Sequence, residues 1–107
     1  MEEKNFETTI ILDEEKVNSS PYSQEGIYAY LENIFQAVGM EREKETFKRG
    51  TLAEVLGAMS ALYKIEWFMK LVKEWILSIR KDDVITYTEV VFESKLLRKK
   101  YLDKYRI

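Results

Sequence analysis

The 107-residue chain contains no cysteine and no histidine, and it has only one proline and four glycines. Without cysteine, disulfides, thiolate nucleophiles and zinc–thiolate sites are excluded. Without histidine, the chain lacks the commonest general base, the commonest metal ligand and the usual near-neutral pH switch. Neither a glycine-rich phosphate loop nor a serine-nucleophile motif is present. We therefore predict a protein that is not an enzyme and that has no cofactor or metal.

Apolar residues make up 46% of the chain and aromatic residues 13%, which is typical of a globular domain and not of a disordered segment. A chain of this length predicts one domain over residues 1–107. The acidic start, "MEEKNF", does not match an export signal. The longest uncharged stretch of residues 50–81, between Glu54 and Lys64, is about half of what a membrane-spanning helix needs. We expect a cytoplasmic protein that does not bind a membrane.

The net charge of −2 is unevenly distributed along the chain: residues 1–45 carry −7 and the remaining 62 residues carry +5. Six bases follow Ser94, with Tyr101 and Tyr105 between them. Cations interleaved with rings suit a phosphate backbone or an acidic partner, although basic residues also stabilise any helix C-terminus and the sequence pI of about 5.3 is low for a nucleic-acid binder. The residues of this candidate surface are Lys95, Arg98, Lys99, Lys100, Lys104 and Arg106.

The first half of the chain predicts a short strand or a first helix at residues 6–12, followed by a helix over about 21–38. "FETTIIL" favours the strand because it is rich in β-branched residues. Apolar residues from Ile27 to Val38 recur at spacings of three and four, Ser20 or Ser23 can cap the helix, and Gly39 can end it. The charged segment 40–50 is interpreted as a connector or a poorly buried edge element.

Residues 52–81 predict one long central helix, because Thr51 and Glu54 form a capping box and no proline follows. Its apolar side changes face between Ala61 and Glu66. A straight helix of this length would span roughly 45 Å and project beyond a domain of this size. A second copy of the chain would then cover the distal half. The alternative is a helix that breaks at the change of face, so that the distal residues form the core of a monomer, but the segment "SALYKIEW" contains neither proline nor glycine to make the break. The candidate protein interface consists of Phe68, Val72, Trp75 and Ile79.

The segment after Asp83 is ambiguous, since "VITYTEVVF" is rich in β-branched residues but Thr86 and Glu89 form a second capping box. An apolar face from Tyr87 to Tyr105 favours a helix over about 87–105. The predicted fold class is therefore mainly α, a small helical bundle around the long central helix with a short N-terminal strand as an option. The alternative is an α+β fold with strands near residues 6–12 and 84–92.

These observations favour a non-catalytic protein-interaction or regulatory module that acts as a homodimer through the central helix. The alternative function is a nucleic-acid-binding regulator that uses the basic C-terminal helix. The first hypothesis depends on the two-faced central helix and on the missing catalytic residue types, and the second on the basic tail alone.

Overall fold

The computed structural model describes residues 3–91 and shows an α+β fold, so the predicted helical bundle is wrong. Within these residues, four helices accompany a five-stranded antiparallel sheet. In chain order, the elements are β1 (Phe6–Leu12), α1 (Glu14–Asn18), α2 (Gln24–Ala37), β2 (Glu41–Glu43), β3 (Thr46–Gly50), α3 (Leu52–Tyr63), α4 (Glu66–Met69), β4 (Val72–Lys81) and β5 (Val84–Val90). None of the helices described is long and apolar enough to cross a membrane.

The sheet has the strand order β2-β3-β1-β4-β5, with β1 at its centre and β2 and β5 at its edges. Ile10 lies opposite Trp75, and Thr8 lies between Phe47 and Leu77, so these side chains share one face of the sheet. Helices α2 and α4 pack on that face, where they bury their apolar sides against it. The ring contacts are Phe35 on Phe47, at 4.3 Å between centroids, and Phe68 on Trp75, at 5.7 Å.

The predicted central helix over residues 52–81 is wrong beyond Tyr63. Helix α3 begins at the predicted capping box, with Thr51 and Glu54 bonded reciprocally, and ends at Tyr63, after which Ile65 is extended at φ −90° and ψ 102°. The change of apolar face therefore marks the end of a helix. Residues 72–81 form β4, which pairs with β1 between Val72 and Ile79 and with β5 between Ile76 and Lys81. Their β-branched and aromatic residues fit either structure, and pairing with β1, about 65 residues away in sequence, favours the strand.

The predicted helix over residues 87–105 is wrong at its start, because residues 87–90 belong to β5. The structure confirms the strands near 6–12 and 84–92 of the alternative fold, in β1 and β5. Residues 84–90 form a strand because they pair with β4 from Val84 to Val90. The capping signal at Thr86 and Glu89 does not report this pairing. Residues 92–105 of the predicted helix and all six bases of the candidate basic surface lie outside the described residues.

The predicted helix near 21–38 is confirmed as α2, Gln24–Ala37. Its N-cap is Ser23, whose Oγ accepts a hydrogen bond from the Gly26 N–H at 3.0 Å. Gly39 has φ +89°, a left-handed conformation typical of the residue that follows a helix. The charged segment 40–50 forms the β2–β3 hairpin, of which β2 is an exposed edge strand and Phe47 is fully buried in β3.

Gly57 is expected to weaken α3, and its replacement by alanine should stabilise the protein. The residue is exposed, lies in the middle of the helix, and an added Cβ would meet no atom within 4 Å. Glycine costs a helix interior about 0.5–1 kcal/mol relative to alanine, so Gly57→Ala should raise the free energy of unfolding by that amount. Urea denaturation followed by circular dichroism measures this difference.

Ala61, exposed on the same helix, provides the matched control for this prediction. Ala61→Gly should lower stability by a similar amount, about 0.5–1 kcal/mol. If Gly57→Ala instead lowers stability, another surface approaches the backbone of α3 at this position.

Candidate functional site

Strands β4 and β5 form a hairpin whose turn contains only Asp82 and Asp83. Lys81 pairs with Val84, so two residues connect the strands, and both aspartates have positive φ values of 52° and 63°. Two consecutive left-handed residues are the geometry of a type I′ turn, whose twist matches that of the flanking strands. Aspartate tolerates this conformation better than most residues do. The turn therefore directs β5 back along β4 and places it at the edge of the sheet.

Arg80 attaches the turn end of this hairpin to the central strand, β1. Its Nε donates a hydrogen bond to Oε1 of Glu7 at 2.7 Å, and its Nη1 donates to the Asp83 carbonyl oxygen at 3.2 Å. The Glu7 side chain is only 7% exposed, so the guanidinium compensates a largely buried carboxylate. The contact ties β1, β4 and the turn together, and the hairpin is held in a defined orientation.

Strand β5 contains a bulge at Thr86. Ile79 pairs with Tyr87 and the next residue, Arg80, pairs with Ile85, which leaves Thr86 as the extra residue. The Thr86 hydroxyl donates a hydrogen bond to the Ile79 carbonyl oxygen at 3.3 Å. The bulge increases the local twist of the hairpin and leaves residues 87–90 in regular pairing with β4.

Strand β5 exposes apolar side chains along nearly its whole length. Six of its seven residues are exposed, and the seventh, Glu89, is half-buried. Four of the six large hydrophobic residues that the described chain exposes lie here: Val84 (60%), Ile85 (40%), Tyr87 (44%) and Val90 (46%). No other strand of residues 3–91 pairs with its outer side. A strand in this position presents a row of backbone N–H and C=O groups to its surroundings.

The opposite edge of the sheet has the features that normally prevent edge-to-edge pairing. Strand β2 has three residues, Glu-Arg-Glu, and its charged side chains form salt bridges to neighbouring elements. Strand β5 is more than twice as long, contains neither lysine nor proline, and carries one charge, on Glu89. The two edges therefore differ in length and in charge, and among residues 3–91 β5 is the less protected edge.

A second exposed aromatic surface is formed by α2, α4 and the residues just before α2. Tyr22 stacks on Trp67 with 4.4 Å between ring centroids, and Tyr30 contacts the same indole at 5.5 Å. Tyr22 and Tyr30 are 42% and 40% exposed. A shallow groove of about 450 Å³ beside Trp67 also contacts Glu66 and Lys70, which form an ion pair across one helical turn. Both tyrosines thus contact Trp67 and keep about two fifths of their surface exposed.

The four predicted interface residues do not share a helix face. Phe68 lies on α4 and is fully buried, and Trp75 lies on β4 and is also fully buried. Val72 and Ile79 are half-buried on β4. Two of the four therefore belong to the core of this chain, and contact of Val72 or Ile79 with a partner stays a prediction.

The titratable groups whose pKa values shift all move further from neutrality. Hydrogen bonds lower the pKa of Glu43, through Lys48, and of Glu54, through the Thr51 backbone. Burial raises the pKa of Tyr28, and a hydrogen bond with the Glu89 side chain raises that of Tyr87. Among residues 3–91, no group of three or more acidic side chains is placed to hold a metal ion. These shifts stabilise the resting charge states of the four groups at neutral pH.

The comparisons with known proteins identify no relative: no protein-family model matches the chain, and no curated protein matches it. The candidate site therefore depends on the structure. Sequence reasoning did not select Val84, Ile85, Tyr87 or Val90, although one signal was available. Asp82 and Asp83 are of a residue type common in turns, and they stand between two runs that contain β-branched residues, which indicates a turn between two strands.

Proposed function

We propose that the protein is a non-catalytic protein-interaction module and that β5 is the strand through which it binds a protein partner. The observation that carries this proposal is the exposed apolar edge strand β5. The strand at the opposite edge of the sheet, β2, is by contrast short and charged. The absence of cysteine and histidine supports the non-catalytic part of the proposal. We also place its action in the cytoplasm, which a cysteine-free composition supports.

Binding through an edge strand follows from elementary backbone chemistry. A partner strand adds main-chain hydrogen bonds along β5, and its alternate side chains contact those of β5. Cross-strand pairs of aromatic and β-branched residues each contribute roughly 0.2–1 kcal/mol relative to alanine pairs. Tyr87 and Val90 are residues of these types, and they are about half exposed. A partner strand would cover these side chains and would also form hydrogen bonds with the outward-facing backbone N–H and C=O groups of β5.

Site-specific photo-cross-linking in the cells that produce the protein tests this proposal. A photoreactive phenylalanine analogue replaces either Tyr87, on β5, or Tyr30, on α2. The two tyrosines match in exposure, at 44% and 40%. We expect protein adducts from position 87 and far fewer from position 30. Adding Val90→Lys to the position-87 variant should abolish the adducts because lysine on an edge strand opposes pairing, whereas Val90→Thr should preserve them.

An adduct with a second copy of the chain and an adduct with a different protein both support the proposal, provided that Val90→Lys removes it. Absence of adducts from position 87, or equal labelling from positions 87 and 30, would overturn it. Adducts that persist with Val90→Lys would also contradict pairing through the β5 edge.

A further inference from the structure

We infer that the partner strand of β5 is a basic strand of another protein, with a lysine or arginine opposite Glu89. This inference rests on the proposed function, because it names the chemistry of the partner at the same edge. Residues 81–90, which comprise the end of β4, the turn and β5, contain three acidic residues and one basic residue. Residues 3–91 together contain sixteen acidic residues and eleven basic ones, a net charge of −5. The exposed edge therefore favours a strand of positive charge.

The bulge at Thr86 determines which side chains of β5 lie on each face of the sheet. Tyr87 pairs with Ile79 and Glu89 pairs with Leu77, so both side chains lie on the face that carries the helices. The opposite face of β5 presents Ile85, Thr88 and Val90. The charge of β5 is thus confined to the helix-bearing face, and β-branched side chains occupy the other.

Glu89 is the residue of β5 that selects the charge of a partner strand. It is half-buried, and it accepts a hydrogen bond from the Tyr87 hydroxyl, a neutral donor that leaves the negative charge in place. In an added strand, the Cβ atom of the residue directly opposite Glu89 would lie about 4.5–5.5 Å from its own, close enough for an ion pair. An acidic residue there would place two carboxylates opposite one another, which destabilises paired strands. A lysine or arginine is therefore the favourable choice.

The other face of β5 determines the remaining composition of the partner strand. Ile85 and Val90 are 40% and 46% exposed, and β-branched or aromatic residues opposite them would form favourable cross-strand pairs. Successive residues of a strand alternate between the two faces. The partner strand is therefore one in which basic residues alternate with β-branched or aromatic ones. A second copy of β5 does not fit this description, because it brings a further acidic residue and no basic one.

Mass spectrometry of the photo-cross-linked adducts tests this inference. The adducts that form in cells from the analogue at position 87 are digested, and the linked partner peptide is sequenced. We expect a peptide of another protein that has a net positive charge and a lysine or arginine two residues from the linked residue. This spacing follows because positions 87 and 89 lie on the same face of the sheet.

Glu89→Gln, introduced beside the analogue at position 87, tests the role of the charge. It removes the carboxylate and keeps the size of the side chain. Loss of an opposite-charge pair across two strands should lower the adduct yield about two- to fivefold. Glu25→Gln is the matched control, since it changes the net charge equally at an exposed position on α2, and it should leave the yield unchanged. Circular dichroism confirms that each variant folds.

The possible outcomes separate this inference from the proposed function. A linked peptide that is neutral or acidic, or that belongs to a second copy of the chain, overturns the inference while the proposed function stands. Equal yields from Glu89→Gln and Glu25→Gln would overturn it as well. Absence of any adduct from position 87 contradicts the proposed function, and the inference fails with it.

Discussion

Trp75→Ala is expected to lower the free energy of unfolding by about 3–5 kcal/mol, the usual cost of emptying a buried aromatic site. The Trp75 ring is 0% exposed and packs edge-to-face on Phe68. Its Nε1 donates a hydrogen bond to Oγ1 of Thr8 at 2.9 Å, and the Thr8 hydroxyl in turn donates to the Ile76 carbonyl oxygen at 2.8 Å. Truncation leaves a cavity between β1, β4 and α4. It also removes the N–H group that donates a hydrogen bond to the buried Thr8 hydroxyl. Urea denaturation followed by circular dichroism measures the loss.

The other tryptophan, Trp67, is the control for this prediction. It is half-buried, and its main neighbours are the exposed rings of Tyr22 and Tyr30, so Trp67→Ala should cost clearly less than Trp75→Ala. A loss of less than about 1 kcal/mol for Trp75→Ala, far below the core range, would contradict its burial.

The elements predicted correctly are those whose signals are local. Ser23 caps the N-terminus of α2, and Gly39 follows its C-terminus in a left-handed conformation. Thr51 and Glu54 form the capping box that starts α3. Each signal acts within one turn of its helix and needs no distant partner. The single error of greatest consequence concerned residues 72–81, where Trp75 and Ile79 fit a helical spacing as well as a strand. Their pairing with β1 is a contact between distant parts of the chain, which local periodicity does not report.

The candidate site was missed for the same physical reason. Exposure of Tyr87 and Val90 is a property of an edge position, and the edge exists only once five strands are ordered in the sheet. The apolar content of residues 84–90 was visible, but a capping pattern at Thr86 and Glu89 supported a helix equally well. The sequence therefore indicated which residues are apolar and not which side of the molecule they occupy.

Tyr87→Lys is expected to remove the protein adducts that a photoreactive phenylalanine analogue at position 90 forms with the partner proposed for β5. Tyr87 is 44% exposed on this edge strand, and a lysine on an edge strand opposes pairing with a further strand. The substitution also removes the ring from a cross-strand pair, which contributes roughly 0.2–1 kcal/mol relative to an alanine pair. Photo-cross-linking from position 90, with and without the substitution, measures the loss.

Tyr30→Lys supplies the matched control, since Tyr30 is about as exposed as Tyr87 but lies on α2. It adds the same charge to the same residue type, and it should leave the adducts from position 90 unchanged. Because position 87 is exposed, Tyr87→Lys should keep the free energy of unfolding within about 0.5 kcal/mol of that of the unmodified chain, so loss of binding is separable from loss of folding. If Tyr87→Lys gives as many adducts as Tyr30→Lys, Tyr87 does not lie in the interface.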